Sequence, residues 1–356
     1  MKRDLSANEL AKTTDNGDDG DDAVAVETKK SARKSARRSW EDEINDTTGK
    51  WERSKSSFQE IISETHPIYK PESGRYHLYL AKACPWATRI DILLNLLGMT
   101  NDITITYVDP VFDTIGENRT GWVFTDKFPD TLNNCTTLYE VYLKYHPNYQ
   151  GKATTPMLLD KKTSTIVSNE SRDMLKSLCW GCKSFHKNIP TNVDYYPNDE
   201  TTVKTIDMWI DTLYDPLLNG VYKVGFAKTQ IEYDTCIRDM FTMLDQLDDH
   251  LSKHKWMLGQ QFSVLDLVVG VTLTRFDAIY YVHFMCSQKH IYEYPNLGNY
   301  TRAFYQLPQV QKCTNITICK QHYYKSHYSI APNKLIAATN PNADLNLPHN
   351  REELFP

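Results

Sequence analysis

The stretch from Tyr76 to Ile90 constrains the fold more than any other. The run Tyr76-His77-Leu78-Tyr79-Leu80 reads as a buried strand, and residues 81–83 make a small-residue turn. Cys84-Pro85 then opens a helix with apolar positions at Ile90, Leu93, Leu94, Leu96 and Leu97. Proline suits the first helical position, where its missing N–H costs nothing, so Cys84 stands at or beside the N-cap. A sulfur there faces unpaired backbone N–H groups and the positive end of the helix dipole. Such surroundings stabilise a thiolate and can bring a cysteine pKa from about 8.5 to between about 3.5 and 7.5. The alternative for a free cysteine is burial as a small apolar group, but packing alone does not account for a Cys-Pro pair at a helix start.

Three residues on, where a Cys-x-x-Cys motif would carry its second thiol, stands Ala87. A mixed disulfide formed at Cys84 therefore needs an external thiol for its release, and glutathione is the abundant one.

From Tyr76 the pattern alternates: a strand, a helix over 85–97, a strand over 103–108, a long excursion over 109–150, and strands over 156–159 and 165–167. A helix carrying Met174, Leu175 and Leu178 follows. A β-α-β unit followed by β-β-α is the thioredoxin-like order. The excursion exceeds what a compact domain carries without a use for it, and it reads as part of the binding surface. Residues 183–200 read as a linker. Beyond it the period is helical, with one stripe at Met208, Ile210, Leu213, Leu217 and Leu218 and a second at Ile237, Met240, Phe241, Met243, Leu244 and Leu247. Ser263-x-x-Asp266 is a capping-box start to a buried helix. The expected fold is an α/β thioredoxin-like domain over 56–182 followed by an all-α domain over 201–335, with a C-terminal tail over 336–356.

Residues 1–55 read as a disordered charged tail, with an acidic block at 15–22 and a basic run at 29–38. The basic run is a solvated tail, a nuclear-import signal or a contact for an acidic partner. The acidic block argues against a mitochondrial presequence, and the first residues lack a signal-peptide core. No apolar run reaches the roughly 18 residues that a membrane span needs. A net charge of −5 does not suggest nucleic-acid binding. Eight cysteines without secretory context read as free thiols in a reducing, cytoplasmic setting, and sequons such as Asn118 and Asn315 as chance. Cys179-x-x-Cys182 has no second pair nearby, so no metal site is expected.

The motif Cys84-Pro85-Trp86-Ala87-x-Arg89, preceded by Gly74-Arg75-Tyr76, resembles the glutathionyl-hydroquinone reductases, the xi class of glutathione transferases, related to the omega class. The likeness runs from His66 to about Pro332. It implies the glutathione-transferase architecture, a homodimer, glutathione as co-substrate and quinone-derived thioethers as substrates. It also implies a cis bond before Pro156, whose neighbouring backbone pairs with the cysteinyl part of glutathione. Glu170 and Ser171 open a helix and would take the γ-glutamyl amino and carboxylate groups, although Asn169-Glu170-Ser171 also suits a plain N-cap. Trp122 would lie against the tripeptide.

The family's usual residues are replaced by Val123 beside Trp122, by Lys152, which loses bidentate carboxylate geometry, and by Thr155. Asn219–Ala227 matches the family's pattern, making Tyr222 a phenol that faces the hydroquinone, and His322-Tyr323-Tyr324 makes Tyr323 the second. Ordinary packing is the alternative for each tyrosine. Arg275–Cys286 would be core helix and aromatic pocket wall. The implied activity is reduction of glutathionyl-hydroquinones through a Cys84–glutathione disulfide. The alternatives are an omega-like thioltransferase or dehydroascorbate reductase, and a regulatory module with a decayed site.

Overall fold

The computed structural model describes residues 43–44, 48–116, 119–187, 189–190 and 193–356; the acidic block, the basic run and Asn118 lie outside them. The first domain runs β1 (Tyr76–Leu80), α1 (Pro85–Leu96), β2 (Thr104–Tyr107), β3 (Asp113–Thr114), β4 (Thr120–Gly121), α2 (Leu138–Tyr145), β5 (Met157–Asp160), β6 (Thr165–Ser168) and α3 (Ser171–Lys176). The main sheet has the order β2-β1-β5-β6. β1 pairs parallel with β2 and antiparallel with β5, which pairs antiparallel with β6.

All of β1 is buried because it is central and covered on both faces. Its alternation sends Tyr76, Leu78 and Leu80 into one core and Tyr79 into a second. The excursion is less foreign than its length suggests. It holds the β3–β4 ribbon and also α2, which Thr137 and Glu140 start with a reciprocal capping box.

The second domain is helical: α4 (Glu200–Leu213), α5 (Gly220–Phe226), α6 (Gln230–Lys253), α7 (Val264–Arg275), α8 (Leu297–Tyr305), α9 (Pro308–Cys313) and α10 (Ile316–Ser326). α7 is apolar on every side and buried throughout, and its capping box at Ser263 and Asp266 forms as expected. Asp266 also accepts from Met257 N–H and the Tyr300 hydroxyl, each at 2.9 Å, which satisfies a carboxylate with no exposure. α7 lies against α1, and this contact carries the helical domain to the Cys84 end of the first domain. No helix among the described residues is long and apolar enough to cross a membrane.

The described parts of the flanking segments differ from the tails and linker expected. Trp51 is 1% exposed and stacks on Tyr222 and Phe226, while Ile44 bridges to it. An indole gains enough from apolar burial to pin a segment that is otherwise charged. Further on, Glu60 N–H bonds to Val167 O at 3.1 Å, extending the β6 edge. In the linker, Tyr196 is buried and its carbonyl accepts from Trp180 Nε1 at 2.8 Å. At the C-terminus Arg351 is fully buried and donates to the carbonyls of Leu251, His254 and Lys255, the unpaired acceptors where α6 ends.

Candidate active site

Cys84 is the N-cap of α1. Its backbone is extended, Pro85 follows at the first position, and no side chain caps the helix. The first-turn N–H groups are thus left facing the thiol side of the turn. The thiol is partly buried and donates to Thr155 O at 3.3 Å. The Thr155–Pro156 bond is cis, and Thr155 is buried beside it.

Beside Thr155 and Pro156 a cleft of about 790 Å³ opens, lined by Lys152, Thr155, Pro156, Glu170 and Ser171 among others, with Cys84 behind its wall at Thr155 rather than in it. The N-cap of α3 is Glu170 itself: its carboxylate accepts from Arg172 N–H at 3.0 Å and from Ser56 Oγ at 2.9 Å. The plain-cap reading and the ligand reading therefore meet in one residue, since a carboxylate has acceptor capacity beyond two bonds. Ser171 opens the helix, with its Oγ 3.5 Å from Arg89 Nη1. Lys152 reaches back across the cleft to Glu43, 3.2 Å away.

Trp122, Tyr222 and Tyr323 stand off this cleft. Trp122 is buried, stacked on His322 at 4.8 Å and edge-on to Phe112 at 4.5 Å. It borders a small adjoining space whose wall of Gly151, Lys152 and Thr154 it shares with the cleft.

Tyr222 and Tyr323 meet each other. Their hydroxyls are 2.9 Å apart, and the Tyr280 hydroxyl bonds to that of Tyr323 at 3.1 Å. Burial raises all three phenols above their ordinary range, most for Tyr280 and Tyr323; the nearby Cys84 sulfur adds to the effect on Tyr222. The chain is a set of protonated phenols, able to donate and to share one negative charge.

Four side chains with no assigned role before now stand here. Arg89 is 2% exposed, lines the cleft, and is drawn down to about 10 by burial against the opposing pull of Glu170 and Cys84. Its guanidinium and that of Arg53 sit over the Trp86 ring at 4.5 and 4.6 Å, both in cation–π range. Trp51 covers Tyr222. Arg275, fully buried at the end of α7, donates to Ala83 O and Thr88 Oγ1 directly beneath Cys84. Arg89 had a legible signal, a cation on an otherwise apolar helix face, and Trp51 another, an indole in a charged run that also holds Trp40. Among the described residues no group of three or more His, Cys, Asp or Glu is disposed to hold a metal.

Together these groups set a thiol at a helix N-terminus beside a polar cleft, with a row of buried phenols nearby. The family model described as "Glutathione S-transferase, C-terminal domain" matches residues 230–303. The chain is 36% identical over 331 residues to the glutathionyl-hydroquinone reductase YqjG of Escherichia coli (strain K12), spanning 89% of this chain and 97% of that one. It is also 36% identical over 295 residues to glutathione S-transferase omega-like 2 of Schizosaccharomyces pombe, spanning 80% and 91%. The xi glutathione-S-transferase structure from Phanerochaete chrysosporium superposes with a TM-score of 0.76 at 36% identity, covering 84% of this chain and 99% of that one. The glutathione-bound structure of YqjG gives 0.75 at 34%, covering 86% and 98%. The likeness thus runs over nearly the full lengths of these relatives in sequence and in fold, and the chain belongs to the xi class of glutathione transferases, the family of the glutathionyl-hydroquinone reductases.

Proposed function

We propose that this chain reduces glutathionyl-hydroquinones with glutathione, through a mixed disulfide at Cys84. The Cys84 thiolate attacks the glutathione sulfur of the thioether, and the sulfur–carbon bond breaks with its electron pair going to the ring. The Tyr222 hydroxyl, backed by Tyr323, gives that carbon a proton. A second glutathione thiol returns a proton to the phenolate and, as thiolate, displaces Cys84. Oxidised glutathione and the free hydroquinone leave; the ring has gained two electrons, and two glutathione sulfurs have lost them. Glutathione would lie along Trp122, Lys152, Thr155, Pro156, Glu170 and Ser171.

The observation that carries this reading is the placement of Cys84. It caps α1 with Ala87 where a resolving thiol would stand, and it lies 3.3 Å from Thr155 O at the foot of the cleft. The relatives named glutathionyl-hydroquinone reductase supply the substrate class.

The test is mass spectrometry after incubation with glutathionyl-menadiol and no free glutathione. One glutathione adduct on Cys84 with release of menadiol is expected, together with at least a hundredfold loss of turnover in Cys84→Ala. Less than tenfold loss would sink the mechanism. The relative named omega-like favours a second reading, a thioltransferase using the same cysteine. Faster turnover of β-hydroxyethyl disulfide than of glutathionyl-menadiol would select it.

A further inference from the structure

We propose that Arg275 is a fixed counter-charge of the reaction, a positioning residue that holds the Cys84 turn from beneath and neighbours the phenols onto which negative charge passes. The inference builds on the reading just given.

Arg275 has no exposure, and among the described residues no carboxylate pairs with it. Its guanidinium donates to Val271 O at 2.7 Å, to Thr88 Oγ1 at 2.7 Å and to Ala83 O at 3.4 Å, and the Cys319 thiol lies in hydrogen-bonding reach. Carrying a cation into a protein interior without an acid is costly. Of the other buried arginines, Arg75 finds one in Asp160, 2.5 Å away, while Arg351 caps three carbonyls and Arg89 lies over the Trp86 ring beside Ser171. The titratable groups around Arg275 are instead Cys319, His322, Tyr222, Tyr280 and Tyr323, a thiol, an imidazole and phenols that are neutral at rest.

Two of its bonds fix the nucleophile. Ala83 directly precedes Cys84, and Thr88 Oγ1 passes the contact on by donating to Cys84 O at 2.9 Å. The cation thereby pins both sides of the first turn of α1. Its other face looks onto the phenol row. In the proposed reaction the negative charge begins on the Cys84 sulfur and ends on the Tyr222 oxygen. One immobile guanidinium holds the turn that carries the first site and has the phenol of the second among its neighbours, and it need not reorganise as the charge moves; such preorganised charge in a dry site is worth far more than in water.

The test compares R275Q, R275K and C319D in the full chain. C319D keeps the guanidinium but hands it a carboxylate. Two readouts are taken: the rate of Cys84 alkylation by iodoacetamide at about pH 6 relative to about pH 9, and kcat and KM for glutathionyl-menadiol. R275Q is expected to lower the alkylation ratio about tenfold and kcat about 100-fold with KM within about twofold. R275K should recover at least tenfold of the kcat, and C319D should behave as R275Q. A wild-type ratio and kcat in R275Q, or no recovery in R275K, overturns the assignment. If R275Q does not fold, a wild-type ratio in C319D overturns it alone. A wild type that releases no menadiol defeats the reaction proposed above, while the alkylation arm still decides the role of Arg275.

Discussion

Acidification from about pH 7 to about pH 5 probes the packing behind the sheet and the phenol row, because four buried histidines, His77, His283, His322 and His327, stand there uncharged. His77 bonds to Thr104 Oγ1 at 2.7 Å and Thr106 Oγ1 at 3.0 Å across β1 and β2, and burial lowers it to about 4. His322 gives Nδ1 to Pro110 O at 2.7 Å and is lowered to about 4; His283, 3.0 Å from His327, is lowered to about 3. A histidine depressed in the folded state adds stability that is complete above its unfolded value near 6.5 and is lost as pH falls toward the folded one. At about pH 5 His77, His322 and His283 have each lost about 2 kcal/mol, or about 6 kcal/mol together, a lower bound that His327, pushed well down by burial, only raises. Asp266 and Asp173, raised by burial to about 6, run the other way, since the folded carboxyl takes a proton in this window and the unfolded one does not. They return about 1 kcal/mol each, less for the partly exposed Asp173. The net loss is about 4 kcal/mol, a large share of a typical domain's stability of about 5–15 kcal/mol. Urea unfolding followed by tryptophan fluorescence at the two pH values measures it. In H77Q, which keeps a polar group between the two threonines, the difference should shrink by about 2 kcal/mol. Equal stability at both pH values, or an unchanged difference in H77Q, would refute the reasoning.

Two further expectations concern the phenol row. Trp51→Ala removes a fully buried indole from Tyr222 and Phe226 and should cost about 3–5 kcal/mol in urea unfolding; a cost below about 1 kcal/mol would mean the stack is incidental. Tyr323→Phe removes the hydroxyl shared by Tyr222 and Tyr280, and kcat for glutathionyl-menadiol should fall about 10–100-fold while the rate of Cys84 alkylation stays within about twofold.

The strand–cysteine–helix unit was legible because its signals are local: proline at the first helical position, apolar spacing along α1, small residues in the turn. The capping boxes at Thr137 and Ser263 are of the same kind, although only the second was read in advance. Lys152, Thr155, Pro156, Glu170 and Ser171 came from a family likeness, and the fold lines one cleft with them. What stayed hidden depends on which elements meet. Periodicity marks α7 as buried, but it does not say that α7 crosses beneath α1, which is what puts Arg275 at Ala83 and Thr88. Trp51 and Arg351 were lost in stretches whose charge outweighs a single anchoring side chain, since composition averages over neighbours and an anchor does not.

The segment that carries Trp51 also has a consequence for the order of folding. On the ribosome it emerges ahead of every partner it has: Val167 for Glu60, Asn169 for Phe58, Tyr222 and Phe226 for Trp51. Contacts so distant along the chain are made only after both intervening units exist, and they contribute to slow folding rather than to early collapse. The strap is therefore among the last pieces to dock. Until it does, Tyr222 stands open to water on the face that Trp51 covers, so a nascent chain acquires the Cys84 turn before it acquires the enclosure of the phenol nearby.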